Sequence, residues 1–238
     1  MGGELVIEML GADFVPWRCL HGGPLTRESI ERPEPNPQVD WRAARARNVP
    51  ILRAIAETYG ACAVAVREGD AIVGMLRFYP AAVRAMAGSM GFCLQQPFPY
   101  GPPEDFGAVR LPPPEDLEDR TLSVHCMAVG RPGAGDDPLR RKGLGTRMAE
   151  ALIEWARPRD WRAIEASAYT DLDTLYAISG AAGRTFWEKL GFRVAATGVE
   201  PELQKESDIL AAMRREAETK GIPFDRLADK FTMRLEIV

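Results

Sequence analysis

The chain has 238 residues, is 46% hydrophobic and carries a formal net charge of −4. That is enough apolar material for one core. The acidic balance argues against a general nucleic-acid binder and suits a cationic substrate. No apolar run reaches the roughly 18 residues of a membrane-spanning helix. The opening MGGELVIEML has no basic lead before a long apolar stretch, so no secretory leader and a cytoplasmic protein are predicted. Cys19, Cys62, Cys93 and Cys126 form no C-x-x-C pair, and His21 and His125 are the only histidines. This pattern predicts reduced thiols and no metal site.

Leu5 to Met9 reads as a first strand, followed by a loop rich in glycine and proline through His21-Gly22-Gly23-Pro24 and Pro33, Pro35 and Pro37. Trp41 to Arg47 reads as helix. Asn48 is placed to cap a second helix, with Pro50 in its first turn, Leu52, Ile55, Ala56 and Tyr59 on one face, and Gly60 as its stop. Ala61 to Arg67 and Ala71 to Tyr79 flank Glu68-Gly69-Asp70, a hairpin signal. Residues 80–119 hold eight of the nineteen prolines, too many for regular sheet, so a covering loop or flexible insertion is expected there.

Thr121 to Val129 is predicted as a strand. A loop leads from it to a helix over Gly143 to Ala156, with Leu144, Met148, Ala151, Leu152 and Trp155 on its apolar face. Trp161 to Tyr169 reads as strand. A helical stretch then runs to Leu190, Gly191 stops it in the left-handed manner, and Phe192 to Thr197 resumes strand. Pro201 to Lys220 reads as a polar helix with a weak apolar stripe, and Lys230 to Val238 as a closing strand. The order predicts one mixed α/β (α+β) domain over 1–238, with a proline-rich insertion at 80–119 and an extra helix at 201–220.

Arg140-Arg141-Lys142-Gly143-Leu144-Gly145-Thr146 follows a strand and opens a helix. First-turn amides lack partners inside the helix, and their dipole favours negative charge. Glycine lets a phosphate approach the backbone, and the basic residues add charge. A diphosphate fits here; simple chain reversal explains the glycines equally well. The P-loop pattern fails because Lys142 precedes the glycines, and the dinucleotide pattern fails because its third glycine would be Met148.

Arg140-x-x-Gly143-x-Gly145 resembles the acyl-CoA diphosphate loop of the GNAT acetyltransferase superfamily, and Met127-Ala128-Val129 resembles the end of that family's fourth strand. Phe186-Trp187-Glu188-Lys189-Leu190-Gly191-Phe192 resembles its F-Y-E-K-L-G-F signature. The resemblance implies a mostly antiparallel mixed sheet, flanked by helices, whose fourth and fifth strands splay around the pantetheine arm. It implies acetyl-CoA as cofactor, held by the backbone of Met127, Ala128 and Val129 and by Arg140, Arg141, Lys142, Gly143, Leu144, Gly145 and Thr146, with Trp187 beside it. It also implies a small-molecule or peptide amine acceptor, with direct transfer in a ternary complex. Neither nucleic acid nor membrane is an expected partner, and the pairing edges of this fold allow a homodimer.

Trp187 stands where many members have a tyrosine acid, and an indole is no acid near neutral pH. Tyr169 is the preferred substitute, with Tyr176 or water behind it; Tyr169 also reads as a packed strand-end residue. Strand period puts Ser123, His125 and Met127 on one face and Cys126 on the other. His125 can serve as base, directly or through water, or be a half-buried hydrogen-bonded histidine. Glu165 reads as a base, a substrate anchor or an ion-pair member. Asp171 and Asp173 can attract a cationic acceptor or form a solvated loop. A catalytically weak CoA-binding sensor or interaction module is the alternative function, and the helix at 201–220 can dock a partner or be a solvated insertion.

Overall fold

The computed structural model describes residues 3–18, 20, 25–32, 40–86, 111–130, 137–139, 141–179, 181–205 and 207–237. The first strand, β1 (Leu5–Leu10), is followed by a short helix α1 (Arg27–Glu31), which the periodicity did not predict. Thr26 caps it reciprocally: the Ser29 amide donates to Thr26 Oγ1 and the Thr26 amide donates to Ser29 Oγ.

One continuous helix, α2 (Trp41–Tyr59), replaces the two that were expected. Its cap is Asp40, which accepts from the Ala43 amide, and not Asn48. Asn48 is buried, and its Nδ2 donates to the Trp17 carbonyl at 2.8 Å. Pro50 removes one helical bond from the interior, a local loss of about 3 kcal/mol. Burial of Ile51, Leu52, Ile55, Ala56 and Tyr59 outweighs it, since each large side chain contributes roughly 1.5–3 kcal/mol. Gly60 ends the helix at φ +90°, as expected.

The hairpin of β2 (Ala63–Glu68) and β3 (Ala71–Pro80) turns at Gly69, with φ +57°. Helix α3 (Ala81–Met86) then opens the proline-rich segment, so its start is regular. Residues 87–110 of that insertion lie outside the described residues, as do His21 to Pro24, Pro33, Pro35 and Pro37. The next strand, β4 (Thr121–Val129), has the predicted limits.

Gly143 takes the cap position of α4 (Leu144–Ala156) at φ +71°. This helix buries Leu144, Met148, Leu152 and Trp155; Ala149 and Ala156 are buried too, whereas Ala151 is half-exposed. Strand β5 (Ala163–Tyr169) precedes two helices where one stretch was predicted, α5 (Asp173–Ser179) and α6 (Arg184–Lys189). Gly191 follows at φ +87°, and β6 (Arg193–Val199) begins.

The predicted helix at 201–220 divides into a 3₁₀ turn over Pro201–Gln204 and α7 (Asp208–Lys220), capped by Ser207. Its weak stripe is a true interface. Leu210, Met213 and Ala217 form a small core with Leu172, Leu175 and Leu227. The last strand is β7 (Asp229–Glu236).

The seven strands make one sheet in the order β1-β2-β3-β4-β5-β7-β6. Every pair is antiparallel except β4 with β5. Helix α4 covers one face, with Trp155 against Phe78 at 5.2 Å between ring centroids. No described helix is long and apolar enough to cross a membrane.

Candidate functional site

Parallel pairing between β4 and β5 is short. It joins Thr121–Val124 to Ala163–Ala166 and stops, while β4 runs on to Val129 and β5 to Tyr169. The two strands therefore part into a wedge, as the resemblance implied. A cavity of about 580 Å³ adjoins it, lined by Met127 and Val129 of β4, by Gly143 to Thr146 at the start of α4, and by α5 and α6.

The glycines suit a phosphate ligand. Gly143 lines the cavity in the left-handed region, and a β-carbon there would meet no protein atom within 4 Å, so its absence leaves open ligand space. A β-carbon at Gly145 would come within 3.3 Å of Met127 Sδ, so glycine also sets how closely α4 approaches β4. Gly143 provides no side-chain cap, so among the described residues the first-turn amides of α4 beside this space have donor capacity to spare. Arg141 lines the cavity too, at φ +59°, with its Nη2 3.9 Å from Asp173 Oδ2. Lys142 is exposed and does not line the cavity, and Ala128 points to the opposite face, toward Met75. Arg140 lies outside the described residues.

At the inner end of the wedge, β4 bulges. Arg77 of β3 pairs with Cys126, and its neighbour Phe78 pairs with Val124, so His125 is the extra residue. Ladder partners share a face. Met127 opposite Leu76 and Val124 opposite Phe78 therefore both look toward α4, while Ser123 opposite Tyr79 looks away. The expected grouping of Ser123, His125 and Met127 does not hold, because a bulge shifts the alternation by one. Cys126 likewise does not oppose His125: the two together face Arg77. The half-buried His125 ring lies 5.6 Å from that of Tyr79. Arg77 is wholly buried and donates to the carbonyls of Pro16 and Arg18 at 2.8 and 3.0 Å.

Glu165 is an ion-pair member. Arg234 Nη1 donates to its Oε1 at 2.8 Å, also reaches Thr121 Oγ1 at 3.2 Å, and its Nε donates to Glu236 at 2.7 Å. Glu165 also stands within the paired part of the wedge, opposite Ser123. Tyr169 lies at the open end, off the cavity lining. Its hydroxyl is 3.5 Å from Glu200 Oε2, and Lys230 sits 6.0 Å from its ring centre. Burial raises its pKa, with Lys230 opposing and Glu200 adding.

Trp187 is 2% exposed, packed between Phe186 and Phe192 at 4.9 Å from each, and does not line the cavity. Its neighbour Phe186 does, as do Lys189 and Tyr176. Adjacent helical residues are turned about 100° apart, so one aromatic of the motif enters the core and the other the site. Asp171 and Asp173 line the cavity, and both are exposed. Asp171 accepts from the amide and hydroxyl of Thr185, and Asp173 faces Arg141. Lys220 reaches the wall from α7. The signature motif held Phe186, but the expectation fell on its neighbour Trp187, and no local sequence signal marked Lys220.

No curated protein matches the chain in sequence. Among solved structures, an acetyltransferase of the GNAT family from Streptococcus pneumoniae superposes with a TM-score of 0.48 at 12% identity, covering 99% of this chain and 100% of the other. A Bacillus subtilis acetyltransferase in complex with CoA gives 0.46 at 16% identity, with 99% and 100% covered. The ribosomal-protein-S18-alanine N-acetyltransferase of Escherichia coli gives 0.45 at 13%, with 98% and 94% covered. Likeness this distant carries no argument about activity. A sequence model of the acetyltransferase (GNAT) family, however, matches residues 26–192, a span that takes in the wedge, the glycine loop and the α6 motif. The chain is a member of the GNAT acetyltransferase family.

Proposed function

We propose that the whole chain acts as one N-acetyltransferase domain that passes an acetyl group from acetyl-CoA directly to an amine. The observation that carries this reading is the early end of β4–β5 pairing beside a cavity bounded by Gly143 and Gly145. The cofactor supplies an activated thioester. The amides from Arg141 to Thr146 would hold its diphosphate, and the unpaired backbone of Met127 and Val129 would bond the pantetheine arm.

His125 would accept the proton that an ammonium substrate must lose. It sits one residue beyond the last β4–β5 pair, on the face away from α4. The acceptor then enters from that face and the cofactor from the cavity side, so the two reactants meet in the wedge. Tyr176 lines the cavity and is the tyrosine best placed to return a proton to the departing sulfur; the Tyr169 hydroxyl is directed to Glu200. Glu165 is assigned to fixing β7 against β5 through Arg234.

Calorimetry with CoA, followed by thiol release from acetyl-CoA across polyamines, aminoglycosides, amino acids, arylalkylamines and peptide N-termini, tests the reading. Binding with turnover on at least one amine class is expected. Binding without turnover on any class would make the chain a CoA-binding module, and no binding would remove the cofactor assignment.

A further inference from the structure

Helix α7 belongs to the segment between β6 and β7, beyond the residues that the family model matches. It is nonetheless docked on α5 beside the cofactor cavity. Glu216 accepts from the Asp173 amide at 2.6 Å, and from the Thr174 amide and hydroxyl at 3.0 and 2.8 Å, so a side chain of α7 caps the amino end of α5. The apolar contacts of Leu210, Met213 and Ala217 hold the rest of the helix in place.

This docking fixes Lys220 in the cavity wall. Its ammonium donates to Glu216 Oε1 at 2.6 Å and to the Asp171 carbonyl at 3.1 Å. An ammonium has three N–H groups. Asp173 Oδ2 stands 3.7 Å away, beyond hydrogen-bond reach, so one donor is unspent. Arg141 Nη2 stands 3.9 Å from the same oxygen, also beyond hydrogen-bond reach, and Lys189 adds a third cation to the lining. Glu216 directs its oxygens at α5, and Asp171 is engaged by Thr185. Arg141 and Lys220 thus share the exposed Asp173 carboxylate at more than hydrogen-bond length, with Lys189 on the same lining, so a phosphate entering the cavity can take their donors over from Asp173.

We propose that α7 completes the cofactor site, with the Lys220 ammonium taking a phosphate of the nucleotide end of coenzyme A. This rests on the cofactor assignment above. Titration calorimetry of the wild type, Lys220→Ala and Lys220→Arg, each with CoA and with dephospho-CoA, tests it. Lys220→Ala should weaken CoA about three- to tenfold, as befits a partly exposed charged contact, and Lys220→Arg should stay within about twofold. A loss confined to CoA assigns the contact to the 3′-phosphate; an equal loss with dephospho-CoA assigns it to the diphosphate. Lys220→Gln, which keeps a donor for Asp171 without the charge, gives the same reading if alanine loosens the helix. Wild-type affinity for both ligands in Lys220→Ala and Lys220→Gln would overturn the proposal. A wild type that binds neither ligand would instead remove the cofactor assignment.

Discussion

Glu216→Gln tests whether α7 is clamped to α5 by charge. Burial alone would raise the Glu216 pKa, but hydrogen bonds from Lys220, from the Thr174 and Asp173 amides and from the Thr174 hydroxyl outweigh it and hold the carboxyl at about 2 against an ordinary 4.5. A carboxylate held down in the fold stabilises it fully above its unfolded pKa and loses that contribution as pH falls through the folded value. At roughly 1.4 kcal/mol per pH decade the ceiling is about 3 kcal/mol. Glutamine still accepts some of these bonds, so a loss of about 1–2 kcal/mol at pH 7 is expected. For a chain of this size that lowers Tm by about 3–6 °C. Urea denaturation of wild type and variant at pH 7, 5 and 3 reads it directly. The gap between them should be widest at pH 7, nearly as wide at pH 5, and clearly narrower at pH 3. A gap of equal size at all three values, or none at pH 7, would refute the clamp.

His125→Ala should lower kcat about 10²-fold or more and leave the calorimetric affinity for CoA within about twofold; an unchanged pH–rate profile would dismiss it as the base. Tyr176→Phe should slow turnover more than Tyr169→Phe, and the reverse order in steady-state assays would exchange their roles. Glu165→Gln should keep kcat within about threefold while reducing stability by roughly 1–3 kcal/mol, because Arg234 loses a partly buried charged partner. A collapse of rate without loss of stability would make Glu165 catalytic after all. Asn48→Ala should reduce stability by about 1–3 kcal/mol in denaturant melts, since the Trp17 carbonyl is left inside without its donor; a neutral outcome would mean that water replaces the amide.

Local chemistry made much of the fold readable. Gly60 and Gly191 stop helices in the left-handed region because a β-carbon is disfavoured there, and strand β4 has the predicted limits because its flanks cannot continue the pattern. The glycine turn before α4 was legible for the same reason. Long-range effects were not. Pro50 signals a break, yet tertiary burial carries α2 straight through it. Glu165 meets Arg234 across 69 positions, which no window of periodicity spans. Trp187 and Phe186 are equally aromatic, and only the docking of α6 decides which one turns inward. Lys220 reaches the cavity because a segment after β6 folds back onto α5, and its own surroundings in the chain give no hint of that.

The bulge in β4 gives this strand an unusual freedom. If His125 were excised, Val124, Cys126 and Met127 would fall into strict alternation, and every remaining side chain would keep the direction it already has. The β3 register thus has a partner for every β4 residue from Leu122 to Val129 except the histidine. Change at this point is therefore open to gain or loss of one whole residue. Deletion of His125 should spare the β3–β4 register and, if the histidine is the proposed base, remove turnover with it.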